Sequence, residues 1–260
     1  VIRHSDNYIE ECIQEYHKRN IPLYLTFSNY YITEKELSDE FSNYLLNTVS
    51  RVPNSGVIVA SPLLAKYIKK THPNLLLIMS VLASVNTHEE RDRSYYERAT
   101  YDYSRVVIHP DDLFDTKLLS SIVPKSSFEI MVNENCIRDC AFRRIHDDLV
   151  CKFSMEESDE AFDALADFSR EHCRMFIHEN NVSAYLSEKV ECCNFTLAHL
   201  EQIYKMGYRY YKLQGRADAP ASFLYDLTKY ILNEMAGTYV YKSICNMISF
   251  TEVKESLTLL

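Results

Sequence analysis

Glycine is scarce in this sequence: 4 in 260 residues, alongside 7 prolines. So few turn formers argue against a collagen-like, linker-rich or hairpin-dense all-β chain. The glycines stand alone at 56, 207, 215 and 237, so neither a Gly-rich dinucleotide turn nor a Walker loop can be assembled. No apolar run reaches about 18 residues, so no transmembrane helix is expected, and no signal peptide opens the chain. The sequence lacks His-Glu-x-x-His and Gly-x-Ser-x-Gly. A zinc metalloprotease therefore lacks its ligand pair, and a serine hydrolase lacks its nucleophile turn. Basic charge is short as well: 28 Lys and Arg face 37 Asp and Glu, a formal −9. That balance disfavours nucleic acid as a partner through any broad basic face, although a local basic groove is compatible with it. The chain does not start with Met, which suggests processing or excision.

What is present is apolar bulk. Apolar residues make up 47% of the chain, with 20 Tyr and 12 Phe, enough buried surface to offset the entropy of ordering. The length suits one large domain spanning 1–260. Short apolar runs occur at 21–27 (IPLYLTF), 56–60 (GVIVA), 75–81 (LLLIMSV), 105–108 (RVVI), 128–132 (FEIMV) and 210–213 (YYKL). Amphipathic stretches separate them. A helix is expected from Thr33, where Thr33-x-x-Glu36 reads as a capping box, through Phe41, Leu45 and Leu46. Further helices are expected at about 156–171, at 197–206 with Gly207 as its stop, and at 221–232. The run 173–177 (CRMFI) is a weaker strand candidate. Strands and helices alternating at roughly 25–30-residue spacing call for a parallel sheet covered on both faces. Five clear strands and one or two weaker ones suit an α/β (β/α)₈ TIM-like barrel better than an open dinucleotide fold. Its active face would carry the strand-end residues Asn29, Ser61, Ser80, His109, Asn133, Cys136, Lys212 and Arg216.

Eight cysteines fall at 12, 136, 140, 151, 173, 192, 193 and 245. Disulfide frameworks belong mainly to small secreted domains, so a reducing cytoplasm is the better expectation, with clustered thiols metallic or catalytic. Cys12 and Cys245 sit in apolar helical patterns and read as small buried hydrophobes, and Cys173 is similarly plain. The informative segment runs from Asn133-Glu-Asn-Cys136 through Cys140, Arg143, Arg144 and His146, within a cysteine-rich loop region at 133–155. Cys136-x₃-Cys140 can present both thiolates to one centre. Cys151 is close in sequence, and Cys192 or Cys193 can add a fourth sulfur. Spacing leaves three readings open: an iron–sulfur cluster, a zinc site, or reduced thiols.

The strand order, the Asn-Glu-x-Cys-x₃-Cys-x₂-Arg-x₂-His segment, and the ending Gly207-Tyr-Arg-Tyr-Tyr-Lys212-Leu-Gln-Gly215-Arg216 resemble the collagenase-like peptidase family, peptidase U thirty-two, over about 21–232. The likeness is to its short bacterial branch, largely of unassigned function. The resemblance implies a (β/α)₈-like barrel and, in several members, a [4Fe–4S] cluster on four cysteines. Matching positions make Cys136, Cys140, Cys151 and Cys193 the ligands, with Cys192 the alternative to the last. It further implies oxygen-independent hydroxylation, as in ubiquinone biosynthesis by a heterodimer or in tRNA and ribosomal RNA modification; older members were described as collagenases. Two departures stand out. The family's first strand would precede Val1, so the expectation is either a truncated chain or a barrel that lacks or rearranges that strand, and Gln214 stands where many relatives carry Glu.

The remaining candidates each have a plain alternative. His146 is expected to move protons and Arg143 to grip an anionic substrate, against an exposed loop pair. Lys212 and Arg216, alternating on the last strand, are expected to bind a carboxylate or phosphate rather than form a simple ion pair. Asn29 and Asn133 would orient a ligand, or merely cap loops. The expected protein is a cytoplasmic iron–sulfur barrel enzyme or subunit, acting on a small biosynthetic substrate as a heterodimer or homo-oligomer. The alternatives are a collagenase-like peptidase and a non-catalytic scaffold subunit with a structural metal site.

Overall fold

The near-continuous apolar runs become buried parallel strands, because a strand covered on both faces has no polar side to present. A computed structural model describes residues 6–156, 158–173, 192–214 and 226–230. Strands β1 (Tyr24–Phe27), β2 (Gly56–Val59), β3 (Leu76–Met79), β4 (Arg105–Val107) and β5 (Phe128–Met131) follow one another, with β8 (Tyr210–Lys212) closing the order. All pair in parallel, as β1-β2-β3-β4-β5-β8. Each strand therefore lies beside the preceding one in this series, with no reversal of direction. Crossovers of one hand then place the helices on one face, and the sheet curls as half of a barrel. Among the described residues β1 and β8 are its edges.

The helices are α1 (Asp6–Lys18), α2 (Glu40–Val49), α3 (Pro62–Thr71), α4 (Val81–Val85), α5 (Arg93–Ala99), α6 (Thr116–Ser121), α7 (Arg143–Glu156), α8 (Asp159–His172) and α9 (Leu197–Lys205). Alternation within the strands splits the core. Val57, Val59 and Leu77 pack with Leu46, Val49, Ala65 and Ile68 of α2 and α3. Val106, Ile108, Phe128 and Ile130 pack with Tyr96, Leu119 and Ile203. Ile58, Ile78 and Val107, one residue out of phase, form a separate cluster on the other face. Gly56 opens β2 because a Cβ there would stand 2.3 Å from the Leu76 carbonyl oxygen. Gly207 follows α9 with φ of 104°, the left-handed end that glycine supplies most cheaply.

Several local expectations change. The Thr33–Glu36 box forms, with the Thr33 amide donating to Glu36 Oε2 at 2.7 Å, but it opens only a 3₁₀ turn at Glu36–Ser38. The helix itself starts at Glu40, where the Asp39 carboxylate accepts from the Ser42 amide. The region 133–155, read as loop, is strand β6 (Asn133–Ile137), a turn, and all but the last residue of α7. Cys192 and Cys193 do not enter a barrel strand. They lie in β7 (Cys192–Asn194), antiparallel to β6 in a separate two-stranded sheet. Cys173 caps the end of α8. Most of the 173–177 run lies outside the described residues, as do Cys245 and Arg216, and only 226–230 of the expected 221–232 helix falls within them.

Candidate functional site: a thiol group under helix α7

Helix α7 is tied to segments that follow the carboxyl ends of three strands. After β1, the Asn29 amide donates to the Cys151 carbonyl at 2.7 Å and to Ser154 Oγ at 2.8 Å. The Tyr30 and Tyr31 hydroxyls both donate to Asp148. Arg144 reaches His88, beyond β3 and α4, at 3.1 Å. Arg143 Nη2 donates to Asp111, beyond β4, at 2.8 Å. Arg143, Asp147 and Cys151 recur at i, i+4 and i+8, so they share one face of the helix. Arg143 and Cys151 are the buried side chains of α7, whereas Ile145, Val150 and Met155 are exposed.

One thiol contacts the Arg143 guanidinium and two more lie within its electrostatic influence. Cys193 is fully buried; its sulfur accepts from Arg143 Nη2 at 3.8 Å and donates to Asp111 Oδ1 at 3.5 Å. Burial pushes the Cys193 thiol up to about 12. Cys136 in β6 donates to the sulfur of Cys140 in the following turn. That bond, with burial, holds Cys136 protonated. The Cys140 sulfur accepts this bond and two backbone N–H bonds from Phe142 and Arg143 at the start of α7, and its pKa falls to about 6. Cys140 is therefore the sulfur of the pair that gives up its proton more readily, favoured by the Cys136 bond, a helix N-terminus and a neighbouring cation. Of the adjacent pair, Cys193 joins the group, while the Cys192 thiol donates to the Asn135 carbonyl at 2.8 Å.

The surrounding charges are fixed by a second ring of contacts. Burial opposes charge on Arg143, but Cys136, Asp111, Cys193 and Glu134 outweigh it and raise its pKa. Asp111 also accepts from the Asp139 amide at 3.0 Å. Its neighbour Asp112 takes both Arg91 nitrogens, at 2.8 and 3.1 Å, and the Tyr96 hydroxyl. His109 is buried, and desolvation with Arg91 and Arg143 nearby lowers its pKa to about 3. The imidazole is thus neutral, and its 3.6 Å approach to Asp111 is not an ion pair. Glu134 accepts from the Cys136 amide at 2.9 Å and from Gln214 at 3.1 Å. Asp147 interacts with both Cys140 and Cys151; burial pushes its carboxyl up to about 7 despite Arg143.

The expected residues separate accordingly. Cys136, Cys140, Cys193 and Arg143 come together. Cys151 directs its thiol at the Ser28 carbonyl, 3.8 Å away. The His146 ring stacks on Phe168 in the contact between α7 and α8, with centroids 6.4 Å apart. Asn29 is a tether for α7. Asn133 is fully buried, its amide donating to Asp226 and to the Gln214 carbonyl, each at 2.9 Å. Lys212 ends β8 half-buried. The sequence pattern marks Asp111 only as a helix-capping aspartate and Glu134 only as part of the Asn-Glu-x-Cys segment, and it gives no sign of Asp147. For Asp111, the strand-end His109-Pro-Asp-Asp run was the usable signal.

Among the described residues, no three His, Cys, Asp or Glu side chains are disposed to hold one metal ion. The chemistry of the group nevertheless suits an electron-rich occupant. Cys193 touches a fixed guanidinium that also acts on Cys136 and Cys140, and the buried Nε–H of that guanidinium makes no hydrogen bond among the described residues. The fit to a cluster is partial: Cys136 and Cys140 are bonded to each other, Cys193 is engaged by Arg143 and Asp111, and Cys151 is turned toward Ser28, so the sulfurs would have to close in to share one centre. The chain matches no protein-family model, no curated protein and no solved structure.

Proposed function

We propose that the chain is a (β/α)-barrel enzyme, or subunit of one, whose reaction centre is the Cys136–Cys140–Cys193 group at the strand carboxyl ends. The observation that carries this reading is the convergence of those thiols on Arg143, whose Nε–H is left for an anion. In this reading the thiols hold an iron–sulfur centre, which when bound supplies one-electron transfer for oxygen-independent hydroxylation or a related redox modification. Arg143, held by Asp111, supplies fixed positive charge beside the sulfurs. Asp147, a carboxyl poised near neutrality, holds and releases a proton on the same helix face, the role expected of His146. Cys151 becomes a ligand only if the middle of α7 is released from its Asn29 and Tyr30 tethers. The substrate is a small anion approaching from the strand carboxyl ends.

Anaerobic reconstitution with iron and sulfide tests the proposal. It expects bound iron with broad visible absorption, reduced in Cys136→Ser, Cys140→Ser and Cys193→Ser while Cys192→Ser retains it. Stoichiometric zinc with no iron would redirect the assignment to a zinc site. The Cys140 thiolate also favours a second reading, a collagenase-like peptidase with Cys140 as nucleophile. That reading expects peptide cleavage by iron-free protein, abolished by Cys140→Ser alone.

A further inference from the structure

We propose that a groove lying over strand β3, between α3 and α5, binds an elongated apolar monocarboxylate of the medium-chain fatty-acid type. The groove has a volume of about 780 Å³, within the range of small-ligand sites, and none of Cys136, Cys140, Cys193 and Arg143 lines it. Leu77 and Met79 of β3 form its floor, Ala65 and Lys66 of α3 one wall, and Tyr95 and Tyr103 the other. It stays open because Ala60, Ala65 and Ala83 present only methyl groups to it. One end lies at Lys69 and Asp102, near where the strands begin, and the other at Tyr30 and Asn86, beyond their carboxyl ends. The cavity thus follows the strand direction. At about 3.3 Å per residue the four residues of β3 give a floor of roughly 13 Å, which suits an extended chain better than a compact ring.

Its polar groups ask for one negative charge. Asp102 is the sole carboxylate in the lining, and Lys69 already engages it at 3.3 Å. Lys66 lines the same wall and has no ion pair among the described residues. The Tyr95 and Tyr103 hydroxyls make no hydrogen bond among the described residues either. Burial raises both phenols, Tyr95 to about 12, so each remains a neutral donor at ordinary pH. One cation and two neutral donors along an apolar trough match a single carboxylate head on a hydrocarbon body.

Isothermal titration of the full chain with dodecanoate is the test, with methyl dodecanoate as the uncharged control. Saturable one-to-one binding is expected. Lys66→Gln should weaken it about tenfold, the loss of one charge-assisted contact. Ala65→Phe should abolish it by filling the trough, and if that variant melts early, Ala83→Leu serves in its place. Absence of saturable binding, or binding indifferent to both the lysine and the filling substitutions, overturns the assignment. Equal affinity for the methyl ester overturns the carboxylate specificity. Binding of dodecanoate leaves bound iron unchanged, so this outcome is separate from that of the thiol centre.

Discussion

Asp147 is the residue whose placement most changes its chemistry. Its carboxyl is raised by burial to about 7 from an ordinary value of 3.8, so between those pH values the folded chain holds a proton that the unfolded chain releases. The stability this contributes is present at low pH and is lost as pH rises toward 7. In iron-free protein, Asp147→Asn should remove that part of the pH dependence. The urea midpoint of the variant should exceed that of the wild type at pH 8 by the equivalent of a few kcal/mol, and the two should converge near pH 4. Parallel midpoint curves would show that the carboxyl is not buried in this way. Gly56 makes a simpler case. An alanine Cβ would sit 2.3 Å from the Leu76 carbonyl, and rigid backbone on both strands leaves no room to yield. Gly56→Ala should therefore cost about 1–3 kcal/mol by thermal or urea unfolding, the range for overpacking. A neutral result would mean that β2 and β3 sit farther apart.

Helix α7 shows why an element can be invisible to periodicity. Its apolar residues Ile145, Val150 and Met155 are exposed, and its buried positions are Arg143 and Cys151. A search for an apolar stripe at 3.6-residue spacing finds the wrong face, because the buried side of this helix is the site. Arg143→Met should then do two things: leave Asp111 and Cys193 without their cation, and remove the charge that lowers Cys140. The expected readouts are a loss of about 3 kcal/mol, as for breaking a buried pair, and slower alkylation of Cys140 by iodoacetamide at pH 7. Unchanged alkylation would mean that the backbone N–H groups and the Cys136 thiol alone hold that thiolate. Within the sheet, Arg105 of β4 reaches Glu129 of β5 at 3.1 Å, both largely buried, with the guanidinium 3.7 Å from the Tyr210 ring centre of β8. This joins three neighbouring strands through side chains. Glu129→Leu should cost about 3–5 kcal/mol by leaving Arg105 uncompensated; a smaller cost in urea unfolding would mean that water reaches the guanidinium.

For the whole molecule, the proposed centre ties metal uptake to protons. Cys136 and Cys193 are held protonated by their surroundings, and thiolate ligation requires both protons to leave. Iron uptake should accordingly release protons measurable in weak buffer, and apparent affinity should rise with pH above 7. Uptake without proton release would place the iron elsewhere. Among the described residues, no helix is long and apolar enough to cross a membrane, as the absence of a long apolar run had led one to expect.

Much of the architecture was written in local sequence. The runs at 56–60, 75–81, 105–108 and 128–132 are mostly apolar and short, as buried strands require, with Arg105 and Glu129 satisfied by each other, and Gly207 marked the end of α9 because few residues tolerate its backbone angle. The Cys136–Cys140 pairing was also local, a matter of reach across one turn. What sequence left open was long-range. Cys193 rather than Cys192 joins the group because antiparallel β7 turns alternate side chains to opposite faces, and Cys151 falls outside it because the Asn29 and Tyr30 tethers set how α7 lies. Asp111 and Asp147 gained their roles only when folding removed water from them and set Arg143 nearby, an effect of burial that no spacing of letters encodes.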